Sequence, residues 1–373
     1  MKTPPFCPND ACDYHHTVPE GPPWYVRHGR YQSAARGPIQ RYRCKRCGTH
    51  FSSQTFSLDY MTHRTIPYQR IFELLHTSSG IRDMGRILNA SPHCITDRIS
   101  RLARQAMAVH ADLLNELRLN EDLVADGFES FAVSQYFPNN IQILAGKESQ
   151  YWIYSDYAHL RRKGRMTEYQ KKRNSILDKQ FTHDRVTIYE SFEELVRQAM
   201  FLKERTPSAA TCLYTDEHRQ YRRVMENLSD GERGVLQHRT LSSKKARTLT
   251  NPLFSVNYLD REIRKDLAEH TRETVQFGRN VVNQMERLAV YRLYHNYCKP
   301  FRINGQGDRV ISHGERAGIS PSLIHKEMKT LFTQRRFLSR VRGTMIRDRC
   351  LWLKSIATPL KRGCEYLPAY TWA

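Results

Sequence analysis

Two short apolar runs in this chain each end in an aspartate, Leu123-Val124-Ala125-Asp126 and Cys212-Leu213-Tyr214-Thr215-Asp216. Runs of this kind read as strands that each deliver a carboxylate at one end. A third stretch, Leu253 to Phe277, reads as a helix. At ~100° per residue, Leu253, Val256, Leu259, Ile263 and Leu267 share one sector, the face expected to pack on the rest of the domain. Asp260 sits at the edge of that sector with Asn257 and Arg264 beside it, whereas Glu262, Asp266 and Glu269 point roughly the other way. A carboxylate half-turned into an apolar face costs free energy unless a cation meets it, and a divalent metal shared with Asp126 and Asp216 would meet it. Taken singly, an acid at a strand end is commonly a turn residue or a helix cap. Three of them in a basic chain point to a site.

The charge balance sharpens that reading. Among 373 residues, 59 Lys and Arg face 38 Asp and Glu, a formal net charge of +21. Such a surplus concerns partners rather than fold: a polyanion is the expected partner, an anionic membrane surface the other candidate. No apolar run approaches the ~20 residues needed to span a bilayer, and the start Met1-Lys2-Thr3-Pro4-Pro5 lacks the apolar core of a signal peptide. The expected location is the cytoplasm.

Of nine cysteines, four fall in pairs. Cys7 and Cys12 make the first pair, and Cys44-Lys45-Arg46-Cys47-Gly48 the second, with glycine at the turn. Two thiolate pairs about thirty residues apart can supply four sulfurs to one tetrahedral zinc. A region so short buries too little apolar surface to fold alone, so the metal would supply its folding free energy. The first pair has the looser spacing, which leaves His15 or His16 open as a substitute ligand. Between the pairs, Trp24 to Tyr31 and Ile39 to Cys44 alternate like strands and carry many cations. Cys94, Cys212, Cys298, Cys350 and Cys364 are scattered and read as plain thiols.

From Ile66 to about Ala106 the pattern turns helical. One helix carries Tyr68, Ile71, Phe72, Leu74 and Leu75, a second runs from Ile81 to Leu88, and Ser91-Pro92 caps a third through Ile95, Ile99 and Leu102. A tight turn followed by a longer helix with exposed Thr96, Arg98, Arg101 and Arg104 suits a helix-turn-helix that enters a major groove. A plain three-helix bundle with a solvated basic face has the same pattern.

Three apparent strands follow, Leu123 to Val133, Ile141 to Ala145 and Tyr151 to Tyr157, with connections short enough for an antiparallel meander. The segment from Arg161 through Arg173 is densely cationic: ordinarily a solvated helix face, but beside a phosphoryl-transfer site a place to hold a DNA backbone. Helix, strand to Asp216, helix, and a strand at Val235 to His238 complete the order. This is an α/β pattern, a mixed sheet with helices against it and the acids meeting at one edge.

At these residues the chain resembles the DDE/D transposases of bacterial insertion sequences. The likeness covers most of the chain. It includes a ribbon ending in Arg43-Cys44-Lys45-Arg46-Cys47-Gly48-Thr49-His50-Phe51-Ser52 and a helix-turn-helix containing Gly80 to Leu88. Its most specific part is Arg264-Lys265-Asp266-Leu267-Ala268 with Arg272-Glu273-Thr274 and Phe277, similar to the segment after the third acid; Tyr294 to Arg302 and His313 to Ile319 are similar to transposase tails. The resemblance implies an RNase H-like catalytic domain, with a zinc ribbon over residues 1–58, a helix-turn-helix domain over 59–118, the catalytic domain over 119–303 and a basic helical region over 304–373. In the better-known branch of that family the third acid is a glutamate with an asparagine three residues later. Here Asn257 stands at the glutamate's place and Asp260 at the asparagine's, an exchange along one helix face. Glu286 is the reserve third ligand, and Glu262 a weaker one; Glu129 reads as a surface acid.

The implied activity is cutting double-stranded DNA at an element's ends and joining a freed 3′-hydroxyl to target DNA, an in-line displacement at phosphorus assisted by two divalent ions. Asp126 would bridge both ions and Asp216 and Asp260 would each hold one, with oxygen ligands favouring Mg²⁺ or Mn²⁺. His238, Lys244, Lys245 and Arg247 would hold phosphates. The last stretch, with Arg335, Arg336, Arg340, Arg342, Arg347 and Arg349, reads as a basic helix that grips DNA or another subunit. Action on two DNA ends implies a homo-oligomer. Two other expectations remain: a DNA-binding regulator on an inactive nuclease fold, and a nuclease without strand transfer.

Overall fold

The computed structural model describes residues 3–181, 185–206, 211–271, 274–302 and 310–360. Arg272, Glu273 and Cys364 lie outside the described residues. The chain is an α/β protein with a small antiparallel sheet near the N-terminus and a five-stranded mixed sheet.

The small sheet follows a single helical turn, α1 (Asp13–His16), and is built from β1 (Tyr25–Ser33), β2 (Gly37–Cys44) and β3 (His50–Ser52) in that order. In β2, Tyr42 and Cys44 point inward while Arg41 and Arg43 point out, the period-two alternation of a half-buried strand. Trp24 stacks on Phe51 at 5.3 Å beneath them. Gly48 takes φ +73°, and its amide donates to the Cys44 carbonyl at 3.1 Å, closing the turn that carries Cys47.

Three helices come next: α2 (Tyr68–Leu75), α3 (Ile81–Ile87) and α4 (Pro92–Leu114). Ser91 accepts a hydrogen bond from the Cys94 amide, and Pro92 occupies the first turn, so the α3–α4 break stands where cap and proline place it. The exposure expected along α4 does not. Arg98 and Arg101 are only 4% and 8% exposed. Arg98 donates to the Arg64 carbonyl at 2.7 Å and Arg101 to the Tyr60 carbonyl at 2.6 Å, and both pair with Asp97. Arg104 is half-buried, with its Nε on the Trp352 carbonyl, and Thr96 turns its hydroxyl back to the Pro92 carbonyl at 2.9 Å. These side chains tie neighbouring segments to α4. The exposed part of α4 is its first turn, Ser91, Pro92 and His93.

The large sheet comprises β4 (Leu123–Phe131), β5 (Pro138–Gly146), β6 (Trp152–His159), β7 (Thr211–Asp216) and β8 (Leu236–Leu241), in spatial order β6-β5-β4-β7-β8. β4, β5 and β6 are an antiparallel meander, and β7 and β8 run parallel to β4. Hence β4, β6, β7 and β8 all end at the same edge. The intervening helices are α5 (Glu168–Gln180), α6 (Ile188–Glu204), α7 (Arg219–Glu226) and α8 (Asp230–Val235); α9 (Phe254–Asp266), α10 (Val281–Tyr297), α11 (His313–Arg316), α12 (Pro321–Met328) and α13 (Ile346–Trp352) follow β8.

The helix expected to Phe277 ends earlier, at Asp266. Beyond it the Thr271 and Thr274 hydroxyls donate to the Arg264 and Ala268 carbonyls, so side chains replace the backbone donors that would have continued the helix. The apolar sector is as read: Val256, Leu259, Ile263 and Leu267 are all buried. The opposite face is also covered, with Glu262 bonded to Lys299, Asp266 accepting from the Tyr291 hydroxyl at 2.7 Å, and Glu269 paired with Arg287.

One core of buried apolar side chains runs from Leu58 to Ile356 and crosses the domain boundaries read from sequence. The region after residue 310 is not a free basic helix. Phe337 sits against Phe6 and Phe56, Arg335 donates its amide to the Phe56 carbonyl, and Arg340 bonds the His15 carbonyl. Arg336 pairs with Asp112 and Glu327, and Arg347 with the buried Asp156 at 2.6 Å. Arg335, Arg336, Arg340 and Arg347 therefore serve internal contacts; Arg342 and Arg349 remain exposed.

Candidate active site and metal centre

The strand register sets the first two corners of the site. Leu123 and Val124 of β4 pair with Leu213 and Tyr214 of β7. Continuing that register puts Asp126 level with Asp216, on the same face, but the ladder between the two strands has already parted. Asp216 is the last residue of β7, still paired to Leu241 of β8.

The third corner arrives on α9, which packs on β4 and β5. Arg264 lies over the Phe128 ring at 5.3 Å and donates to the Glu129 carbonyl at 2.9 Å, which fixes α9 on the face of β4 that bears Asp126. One turn back, Asp260 accepts from Arg264 at 2.9 Å. Arg264 thus clamps helix to strand while holding the carboxylate.

The three acids act on one another electrostatically. Burial pushes the Asp126 carboxyl up to about 7; the charge of Asp216 and, more weakly, that of Asp260 add to the rise, while the Gly127 amide and Arg247 oppose it. Asp126 accepts from the Gly127 amide at 2.7 Å, and Asp216 from the His218 amide at 2.9 Å. Asp126 and Asp216 are like charges acting on one another while Asp260 is paired with Arg264, and a divalent cation would relieve the repulsion between the first two. The three carboxylates are spaced more widely than ligands of one ion. Among the described residues, the only His, Cys, Asp or Glu group with all ligand atoms within 4.8 Å is the cysteine cluster.

A polar layer behind Asp126 escaped the sequence reading. Tyr221 of α7 donates to Gln142 at 2.9 Å, and Gln142 donates to Asn140 at 2.6 Å. The Asp126 and Asp216 charges, after burial, hold the Tyr221 phenol well above its usual range, so this network borders the site. Gly127 is required beside it, because a Cβ there would lie 2.1 Å from the Asn140 carboxamide oxygen. The available signal was Gln142 itself, a polar residue between Ile141 and Ile143 in a buried strand.

Other residues fall into place around these. Lys244, Lys245 and Arg247 are exposed in the loop after β8. His238 is half-buried and shares a 2.8 Å hydrogen bond with Thr215, so it props the residue before Asp216. Glu129 is exposed, as read. Glu286 is 1% exposed in α10 and accepts from Ser100 of α4 at 2.6 Å, within a helix-helix contact. A cleft of about 560 Å³ between α3, the start of α4 and the loop after α9 is lined by Arg82, Arg86, Arg279 and Arg287 together with Asp83 and Glu269, which pair with Arg86 and Arg287.

The cysteine centre is compact. Cys7 and Cys47 lie 3.6 Å apart and Cys12 and Cys44 3.9 Å apart. Four sulfurs at Zn–S of ~2.3 Å would stand about 3.8 Å from one another in a tetrahedron, so the set fits a structural metal such as zinc. His15 is engaged elsewhere, with Nδ1 on the Cys7 carbonyl at 2.7 Å and Nε2 on Ser339 at 2.9 Å. His16 meets the Asp10 carbonyl at 3.1 Å. The four-cysteine alternative is the one the geometry supports.

No protein-family model and no curated protein matches the chain. No described helix is long and apolar enough to cross a membrane.

Proposed function

We propose that this chain is a metal-dependent DNA transposase: it binds element ends, cleaves a DNA strand and transfers the freed 3′-hydroxyl to target DNA, working as a homo-oligomer. The observation that carries the proposal is the level placement of Asp126 and Asp216 where β4 and β7 part, with Asp260 delivered beside them on α9. A meander of three strands extended by two parallel strands, with acids on the first and fourth, supports an RNase H-like reading of the sheet.

In this reading Asp126, Asp216 and Asp260 hold Mg²⁺ or Mn²⁺. When bound, such ions activate the attacking oxygen and stabilise the leaving one. Lys244, Lys245 and Arg247 neutralise phosphates next to Asp126, contributing affinity rather than sequence choice. Arg264 positions Asp260. The exposed surface around Arg82 and the first turn of α4 lies against duplex DNA.

The test is cleavage and joining of a labelled duplex carrying the element's end, with Mg²⁺ or Mn²⁺. Asp126→Asn, Asp216→Asn and Asp260→Asn are expected to bind the duplex yet cut at least 100-fold more slowly, at the scale of a lost ~2.7 kcal/mol of transition-state stabilisation. Cleavage without joining would reduce the activity to that of a nuclease. One observation favours a second reading, a DNA-binding regulator: Asp260 is already neutralised by Arg264. A wild type that binds the duplex and never cuts would establish the regulator instead.

A further inference from the structure

The cationic segment after β6 belongs to the same edge of the sheet as the aspartates, and the function proposed above leaves it unused. β6 runs parallel to β4 across β5, so both strands end on the side to which Asp216 and the loop after β8 also open. The chain then turns over the β4–β5 connection. The Leu160 amide donates to the Pro138 carbonyl at 2.9 Å, and Arg162 lies over the Tyr136 ring at 4.9 Å.

Helix α5 is held only at its far end. Leu177 is its single buried residue, and with Phe181 it packs on Phe137. A Thr167–Gln170 capping box starts the helix without help from the core. Arg161, Lys163, Arg165, Lys171, Lys172 and Arg173 are all exposed, and Tyr169 is 75% exposed among them. Glu168 compensates Lys171. A helix that is polar on all sides and anchored at one end is stabilised by little except a partner.

Register gives the distance from the carboxylates. Asp126 is level with Ile143, and Ile143 with Ser155 on β6. From Ser155 to the strand end at His159 is ~13 Å along the strand at ~3.3 Å per residue, and two strand spacings add ~10 Å across. The arm therefore begins about 16 Å from Asp126, less than the ~34 Å length of one duplex turn.

We propose that residues 161–173 form a second duplex-binding surface, separate from α3 and α4, which grips backbone phosphates within one duplex turn of the phosphate presented to Asp126. This rests on the DNA reading of the site but not on catalysis. The substrate class is double-stranded DNA without sequence preference, since lysines and arginines on phosphates position a duplex and read nothing.

The experiment is fluorescence anisotropy of a labelled random-sequence 30-base-pair duplex from 50 to 300 mM KCl. It compares wild type with the quadruple variant Lys163→Glu, Arg165→Glu, Lys172→Glu, Arg173→Glu and its Gln counterpart. Each phosphate contact contributes about 0.9 to the slope of log affinity against log salt, so the Gln variant is expected to flatten the slope by roughly three to four. The Glu variant should weaken binding further at low salt, with unchanged thermal unfolding for both. An unchanged slope overturns the proposal. So does an unchanged slope combined with lost sedimentation on phosphatidylglycerol vesicles, which would assign the arm to an anionic surface. If the slope flattens but the wild type never cuts DNA, the transposase reading fails and the arm stands.

Discussion

Arg292 and Asp348 meet at 2.6 Å with side chains 1% and 9% exposed, joining α10 to α13 inside the protein. Removing one partner leaves the other charge buried and alone, so Asp348→Ala is expected to cost about 3–5 kcal/mol in urea unfolding, and Arg292→Met with Asp348→Leu to recover most of it. Glu286→Gln keeps the Ser100 contact and lies away from the aspartates; its cleavage rate should stay within about twofold of wild type, a change under ~0.5 kcal/mol. At this scale the strand positions of Asp126 and Asp216 were legible, because a carboxylate in or closing an apolar run is visible without partners. The arginines of α4 were not. Whether Arg98 and Arg101 face water or the carbonyls of residues 58–64 depends on a segment more than thirty positions upstream, and the local pattern carries no trace of it.

Among the elements, the small sheet depends most on something outside the peptide. Its apolar cluster is Cys7, Cys12, Trp24, Tyr42, Cys44 and Phe51, so half of that cluster is cysteines that could hold a metal. Treatment with a strong chelator, or Cys44→Ser, is expected to release one zinc per chain and red-shift the emission of Trp24, while the far-ultraviolet signal of the large sheet persists. Zinc retained by the Cys44→Ser protein at wild-type stoichiometry would contradict this. Strand positions were readable from alternation and turn residues, with β7 found at its observed limits. The end of α9 was not, since threonine hydroxyls rather than glycine or proline stop it.

For the whole molecule, acid is the expected weakness. Burial holds His76 at about 3 and His159, His270 and His313 at about 4, and keeps His110 and His295 well below their usual range. A lowered native value means that the unfolded chain takes up protons first. The stability is complete above pH ~6.5 and is lost as pH falls from there toward 4. At pH 5 each of the first four costs about 1–2 kcal/mol, or roughly 4–8 together, comparable with the whole stability of a domain. Asp126 and Asp156, raised to about 7 and about 6 mainly by burial, act oppositely, losing their contribution as pH rises, but are fewer. Urea midpoints should therefore fall steeply between pH 6.5 and 5; a flat profile would show that these rings are not neutral and buried in solution. The mixed sheet was legible as an order of elements. The shared core was not, because the packing of α4 against α10 and the return of residues 334–340 to the N-terminal sheet are long-range contacts without a sequence period.

The parting of β4 and β7 has an evolutionary corollary. The level placement of Asp126 and Asp216 is a property of main-chain register, so drift in the surrounding side chains cannot move either acid by a small step; a shift of one position would turn it to the other face. Asp260 is under no such rule. On a helix, a carboxylate moved by three residues stays on the same side one turn away. Of the three corners, the helical one is free to migrate in descent, and the place to look for a relocated acid in related chains is α9 rather than the sheet.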